Sequence, residues 1–236
     1  TQEALEEHEG LLAAFRDGAG DWIEAWTMRG ACEEVTVSVL GQVETRDTAG
    51  VLRGHRETVH PLTYLRDTRA TKADAALKAL AASVDGATDA LDLAHKLSST
   101  VAGAIAYRPG VTEMHTTAAE ALALGEGVCQ DHAHALIALA RLRDLPARYV
   151  SGYLHSTVDG QPHDAAHAWA EIHVGGLGWV GFDAANGCCP DDRYVRLGSG
   201  LDASDAAPIR GVATGTTAGA GAERLDVAVQ VEEIGQ

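Results

Sequence analysis

The stretch Gly125-Glu126-Gly127-Val128-Cys129-Gln130-Asp131-His132-Ala133-His134-Ala135-Leu136 decides how the rest of the chain is read. Two glycines make a turn, and Cys129 opens the helix that follows. A helix N-terminus carries unpaired backbone N–H groups and partial positive charge, which can lower a thiol pKa and bind an anion forming on an attacked substrate. Cys129 is therefore a candidate nucleophile. A buried cysteine that packs as a small hydrophobe is the commoner case. Position argues against it, because a Gly-x-Gly turn lets a substrate backbone approach closely and a structural cysteine needs no such turn.

Beyond Cys129, Ala133, Leu136, Ile137 and Ala140 fall on one narrow apolar stripe, so the helix is suited to deep packing. It ends before Asp144-Leu145-Pro146. Three strand-like runs follow, at residues 148–154, 167–174 and 179–183, and Gly175-Gly176-Leu177-Gly178 reads as the hairpin turn between the last two. The second run begins with His167, in His167-Ala168-Trp169-Ala170-Glu171, and the third ends at Asp183, in Gly178-Trp179-Val180-Gly181-Phe182-Asp183. In a cysteine nucleophile site the histidine takes the thiol proton and returns it to a leaving amine, and an acid fixes the imidazole's tautomer. Cys129, His167 and Asp183 occur in a suitable order. From pattern alone Asp183 is read equally well as a turn residue at a strand end.

Upstream, Ala94, Leu97, Val101 and Ile105 share one helical face within a helical pattern over residues 72–120. Tyr107-Arg108-Pro109-Gly110 stops that helix. Thr117-Ala118-Ala119-Glu120 is a capping-box start for a short helix that Gly125 ends. Nearer the N-terminus a helix is expected at residues 11–16. A half-buried strand is expected at residues 35–45, where Val35, Val37 and Val39 alternate with polar residues. A boundary falls near residues 60–72. Past Asp183 come Asn186-Gly187-Cys188-Cys189-Pro190, a Gly/Thr/Ala connector at residues 214–221, and an alternating run at residues 225–231 that reads as a final strand.

Eleven histidines raise the question of a metal. His132 and His134 stand about 200° apart around their helix and cannot chelate one ion together. His167 and His173 share a strand face but lie about 20 Å apart in extended chain. The remaining close neighbour, His163, completes no Cys-x-x-Cys or His-Glu-x-x-His pattern. No metal is expected. Asp131, in the first helical turn, is read as structural, since the helix dipole favours an acid there. His132, about 60° from Cys129, suits either a supporting role or the surface. Trp169 reads as core or pocket wall, a basic partner for Glu171 is left open, Cys188 and Cys189 read as incidental or redox-sensitive thiols, and Cys32 carries no signal.

The 236 residues, 46% hydrophobic and 22% charged, fit a folded chain with one large domain or two small ones. A net charge of −16, from 34 acidic against 18 basic residues, disfavours nucleic acid and anionic membranes as partners. Four cysteines do not make a disulfide scaffold in a chain this long. No apolar stretch approaches a bilayer's thickness and residues 1–10 are acidic and polar, unlike a secretion signal, so a cytoplasmic location is expected. The first residue is Thr1 rather than Met, which leaves a processed or trimmed N-terminus open.

The chain resembles the transglutaminase-like superfamily, in particular its bacterial cysteine protease group. The resemblance rests on residues 117–122 with Gly127-Val128-Cys129-Gln130-Asp131, on Leu145-Pro146-Ala147-Arg148-Tyr149-Val150-Ser151-Gly152-Tyr153, and on the His167 and Asp183 segments. It extends to Tyr194-Val195-Arg196 and Pro208-Ile209-Arg210-Gly211-Val212. It implies an α+β, papain-like transglutaminase core, the nucleophile helix packed on an antiparallel sheet, at residues 69–200. A β-containing N-terminal accessory region that starts late would occupy residues 1–68, and residues 201–236 would form a loop and strand packing back on the body. It implies Cys129 as nucleophile, His167 as acid and base, and Asp183 as its orienter, with no cofactor. Where the family continues with Pro-Thr-Asn, this chain has Ala184-Ala185-Asn186.

The expected reaction is acyl transfer through a thioester on a peptide or protein amide. The Cys129 N–H and a further donor would hold the oxyanion. Gln130, Tyr107, His115 and Trp169 are the candidates for that donor or for support behind the reacting groups. The residues do not choose between water and an amine as acyl acceptor; the resemblance implies hydrolysis by a peptidase or amidase as the first reading. Amine transfer by a transglutaminase, or deamidation, is the second. A non-catalytic binding module on the same fold is an alternative of another class, against which an intact Cys, His and Asp speaks. The oligomeric state is not legible.

Overall fold

From Asp131 to Arg141 every side chain is buried, in a helix, α4, that spans Cys129–Leu142. The computed structural model describes residues 10–28, 35–155 and 166–211, with Val229 and Val231. Helices α1 (Ala75–Ala82), α2 (Ala90–Ala104) and α3 (Ala118–Leu124) pack on α4. An antiparallel sheet of β5 (Ala147–Leu154), β6 (Ala166–Val174), β7 (Gly178–Phe182) and β8 (Tyr194–Gly200) covers it too, with strand order β7-β6-β5-β8. The expected α+β architecture is what the chain adopts.

Small side chains let these elements close on α4. Ala133, Ala135, Ala138 and Ala140 join Leu136, Ile137 and Leu139 in the main core, where Ala168, Ala170, Ile172 and Val174 of β6 meet them. The apolar surface of α4 is thus wider than the four-residue stripe in its sequence. Its polar residues are buried because distant backbone meets them. The Arg141 guanidinium donates to the carbonyls of Tyr64, Ala147 and Leu201, at 2.8, 2.9 and 3.1 Å. The alternate residues of the sheet look the other way, where Trp169 packs with Val150, Leu154 and Tyr194.

Local chemistry sets the helix ends. Asp74 accepts from the Leu77 N–H at 2.9 Å and Asp89 from the Asp92 N–H at 2.8 Å, capping α1 and α2. The expected capping box opens α3, with Thr117 and Glu120 bonded reciprocally. Gly125 closes α3 at φ 72, a left-handed conformation that glycine adopts without strain. Ala94, Leu97 and Val101 form the buried face of α2, and Ile105 is its C-cap. The turn between β6 and β7 is where the glycines place it, with Gly176 and Gly178 at φ 83 and 86.

Two expectations fail. Residues 11–16 form no helix: they belong to β1 (Gly10–Arg16), paired antiparallel with β2 (Trp22–Met28). A window of six apolar and polar residues is too short to separate the two periods. Residues 35–45 form no strand either. Their alternating valines are exposed, Val39 at 92%, and alternation signals a strand only where a neighbouring strand takes up the backbone bonds. The connector at residues 214–221, Cys32 and His163 lie outside the described residues, as does the run at 225–231 apart from Val229 and Val231.

A buried ionic network ties the segment before α1 to the sheet. Arg148 of β5 is bonded to Glu57 at 2.6 Å and to Glu171 of β6 at 2.7 Å. Arg196 of β8 links Glu171 at 2.9 Å to Asp21 at 2.7 Å. Glu171 thus pairs with two arginines, a point that its place in the sequence left open.

Candidate active site

The chain enters α4 through a short parallel ladder of β3 (Ala106–Tyr107) and β4 (Glu126–Gly127), closed by the Arg108 N–H donating to the Gly127 carbonyl at 2.7 Å. Val128 is the extended N-cap, and Cys129 is the first helical residue, partly exposed. Asp131 holds this entry. Its Oδ2 accepts from the Val128 N–H at 2.8 Å and from the Thr112 hydroxyl at 2.6 Å, and the residue is fully buried. Buried His132 places one ring nitrogen 2.9 Å from the Val128 carbonyl and the other 2.9 Å from the Ile105 carbonyl. It braces the helix start and is not on the surface. Buried His134 accepts from the Ala203 N–H at 3.1 Å, so the two histidines serve separate structural contacts.

His167 is 5% exposed on β6, and its Nε2 bonds Asp183 Oδ2 at 2.7 Å. Cys129 acts on the same imidazole as a hydrogen-bond partner, so the ring interacts with both the thiol and the carboxylate. Burial alone would lower the imidazole pKa. The hydrogen bonds and negative charge of Asp183 and Cys129 outweigh burial and raise it to about 9.

Asp183 follows β7 and carries two functions at once. Its backbone exchanges hydrogen bonds with Cys188, and its Oδ1 accepts from the N–H groups of Ala185 and Asn186 at 3.0 and 3.1 Å, making the turn. Its Oδ2 meets His167, the Asn186 amide at 2.7 Å and the Tyr194 hydroxyl at 2.7 Å. Burial pushes the carboxyl pKa up, but the bond and charge of His167, with the Asn186 and Tyr194 donors, bring it below its ordinary value. The turn therefore closes with Ala184-Ala185, and Asn186 supplies the amide.

The other sequence candidates occupy different places. Gln130 spends its side-chain amide on the Met114 carbonyl at 3.2 Å, which draws the turn containing His115 against the start of α4. His115 is exposed in that turn. Tyr107 pairs through its backbone with Gly127, and its ring lies 6.2 Å from that of His132. Trp169 is buried beside His167, with 6.4 Å between ring centroids, and it covers Gly152, where a Cβ would stand 2.5 Å from the indole. Cys188 and Cys189 are partly buried, and burial pushes both thiols up in pKa. Sequence reasoning missed Tyr194 and Asn186 as partners of Asp183. Asn186 was legible as an amide just beyond the carboxylate; no local signal marks Tyr194.

A family model described as the transglutaminase-like superfamily matches residues 78–184. The crystal structure of a candidate cysteine protease from Cytophaga hutchinsonii is similar at 30% identity and a TM-score of 0.52, over 62% of this chain and 48% of that one. An uncharacterized protein of Mycobacterium leprae is 34% identical over 106 residues, 42% of this chain and 34% of its own length. One from Mycobacterium tuberculosis is 36% identical over 133 residues, 52% of this chain and 42% of its own. The chain spans less than half the length of these curated relatives. Residues 78–184, which carry Cys129 at the head of a buried helix and His167 on the sheet beside it, are thus similar to the transglutaminase-like superfamily and to a candidate cysteine protease.

Proposed function

We propose that the chain is a cysteine-dependent amide hydrolase acting on a peptide or protein through a thioester. The observation that carries this reading is the interaction of His167 with both Cys129 and Asp183. The Cys129 thiolate, paired with imidazolium His167, attacks the amide carbonyl carbon and makes the S–C bond. The oxyanion that forms is held by the backbone N–H groups at the start of α4, which have no partner within the helix. His167 Nε2 faces Asp183, so Nδ1 is the nitrogen that delivers its proton to the departing amine as the C–N bond breaks. Water then gives a proton to His167 and its oxygen to the acyl carbon. The acid leaves and the thiolate–imidazolium pair is restored. Asp183 remains an anion throughout and fixes the imidazole.

The candidate protease from Cytophaga hutchinsonii supports hydrolysis as the acyl-enzyme's fate. The test is mass spectrometry of a peptide and protein pool incubated with the chain, with and without a primary amine, and with Cys129→Ala as control. Chain cleavage that disappears in Cys129→Ala is the expected result. Amine adducts or glutamine deamidation in place of cleavage would move the assignment to amine transfer or deamidation. Identical pools from both proteins would contradict an enzymatic role and favour a binding module.

A further inference from the structure

Tyr194 opens β8, an edge strand separated from β6 by β5, yet its hydroxyl reaches Asp183 beyond the end of β7 at the opposite edge. Two features make that reach possible. The β5–β8 register shifts between Ser151 and Gly152, which re-aims the start of β8. Gly152 has no side chain to obstruct the crossing, and a Cβ there would collide with the Val195 carbonyl and the Trp169 indole. The Tyr194 ring then packs edge-on against Trp169 at 5.5 Å and lies 5.8 Å from the His167 ring, leaving the residue 6% exposed.

The hydroxyl has one proton, and it donates that proton to Asp183 Oδ2 at 2.7 Å. Cys188 Sγ lies 3.3 Å from the same oxygen, so the thiol is the donor in that contact. A donor behind the phenol polarises it and strengthens its own donation. Most of the carboxylate's other partners belong to its own turn: the N–H groups of Ala185 and Asn186 and the Asn186 amide. Among the described residues, His167 and Tyr194 are the donors that reach Asp183 from other strands.

Resting on the reading of Cys129, His167 and Asp183 as the working groups, we propose that Tyr194 is a positioning residue whose phenol, oriented by Cys188, keeps the Asp183 carboxylate ionised and aimed at His167. Burial favours a protonated Asp183, and each donor on Oδ2 opposes this. Removing one donor raises the pH at which the carboxylate takes a proton and releases the imidazolium. The titratable groups around the pair are Cys129 from α4, Tyr194 from β8 and Cys188 from the loop. Arg193 and Asp191 pair with one another at 2.6 Å just beyond Cys188.

The test is the pH dependence of Cys129 alkylation by iodoacetamide, followed peptide by peptide so that Cys188 and Cys189 are counted separately. Wild type, His167→Ala and Tyr194→Phe are compared, with thermal unfolding to verify that each is folded. In Tyr194→Phe, which keeps the aromatic ring, the acid limb should move up by about one pH unit, so that at a fixed pH on that limb the rate drops about tenfold. An acid limb that stays in place or moves down overturns the proposal, since a purely structural ring would leave it unmoved. Should Tyr194→Phe not fold, 3-fluorotyrosine placed at position 194, a stronger donor, should move the limb down; no downward shift overturns the proposal. If wild-type Cys129 already reacts like an ordinary thiol and His167→Ala changes nothing, the underlying reading fails and Tyr194 has nothing to position. An activated wild type with an unshifted Tyr194→Phe defeats the Tyr194 role alone.

Discussion

A Cβ on Gly127 would stand 2.7 Å from Oδ2 of Asp131, closer than real side chains approach one another. The Asp131 carboxylate lies over this glycine while it holds the Val128 N–H at 2.8 Å. Gly127 thus makes room for the clamp that fixes the residue before Cys129. Gly127→Ala must displace that carboxylate from a fully buried position. We expect a loss of about 1–3 kcal/mol in urea denaturation, with Cys129 alkylation slowed in the protein that remains folded. Unchanged stability and alkylation would show that the clamp does not set the helix start.

Asp183→Asn keeps the size of the side chain and removes its charge. The amide can still complete the turn, but it no longer holds an imidazolium, and one of its orientations presents an N–H to His167 Nε2 in place of an acceptor. Turnover should fall on the order of 10³-fold with little change in KM. Steady-state kinetics on a cleaved peptide would read this directly.

The raised pKa of His167, about 9, fixes the sign of two pH dependences. Its folded value lies above the ordinary 6.5, so the stability contributed by the protonated ring is fully present below 6.5 and is lost as pH rises through 9. Urea midpoints should decline over that window and do so less in His167→Ala. Turnover by the wild type should hold up through neutral pH and fall near pH 9, as His167 loses the proton destined for the leaving amine.

Arg148 is the most deeply placed charge in the sheet, with its side chain wholly buried and its guanidinium 4.0 Å from the centre of the Trp179 ring. Arg148→Ala leaves Glu57 and Glu171 short of a buried partner. It should cost about 3–5 kcal/mol in denaturant titrations. Because the network is buried, added salt should recover little of that loss.

Local features of the sequence carried most of the elements that build the site. The capping box at Thr117 and Glu120, the left-handed Gly125 and the glycines between β6 and β7 act within a few residues, so their spacing was enough. Features that depend on a distant partner were not legible. The alternation in residues 35–45 lacked a neighbouring strand, and six residues at 11–16 could not separate strand from helix. His132, His134 and Arg141 look like a polar helix face until the carbonyls of Ile105, Tyr64 and Leu201 and the Ala203 N–H are brought to them. The same holds at the site. Asp183 read equally well as a turn residue or an orienting acid, and its carboxylate in fact bonds both its own turn and His167. Tyr194 reaches it only because a register shift beside Gly152 redirects an edge strand.

The central claim is that Cys129 and His167 react as a thiolate–imidazolium pair. The rate of Cys129 alkylation near pH 6, compared between wild type and His167→Ala, tests it most directly. The account predicts a wild-type rate at least about tenfold above that of an ordinary thiol, and a fall to the ordinary rate in His167→Ala. Equal, slow rates in the two proteins would contradict it.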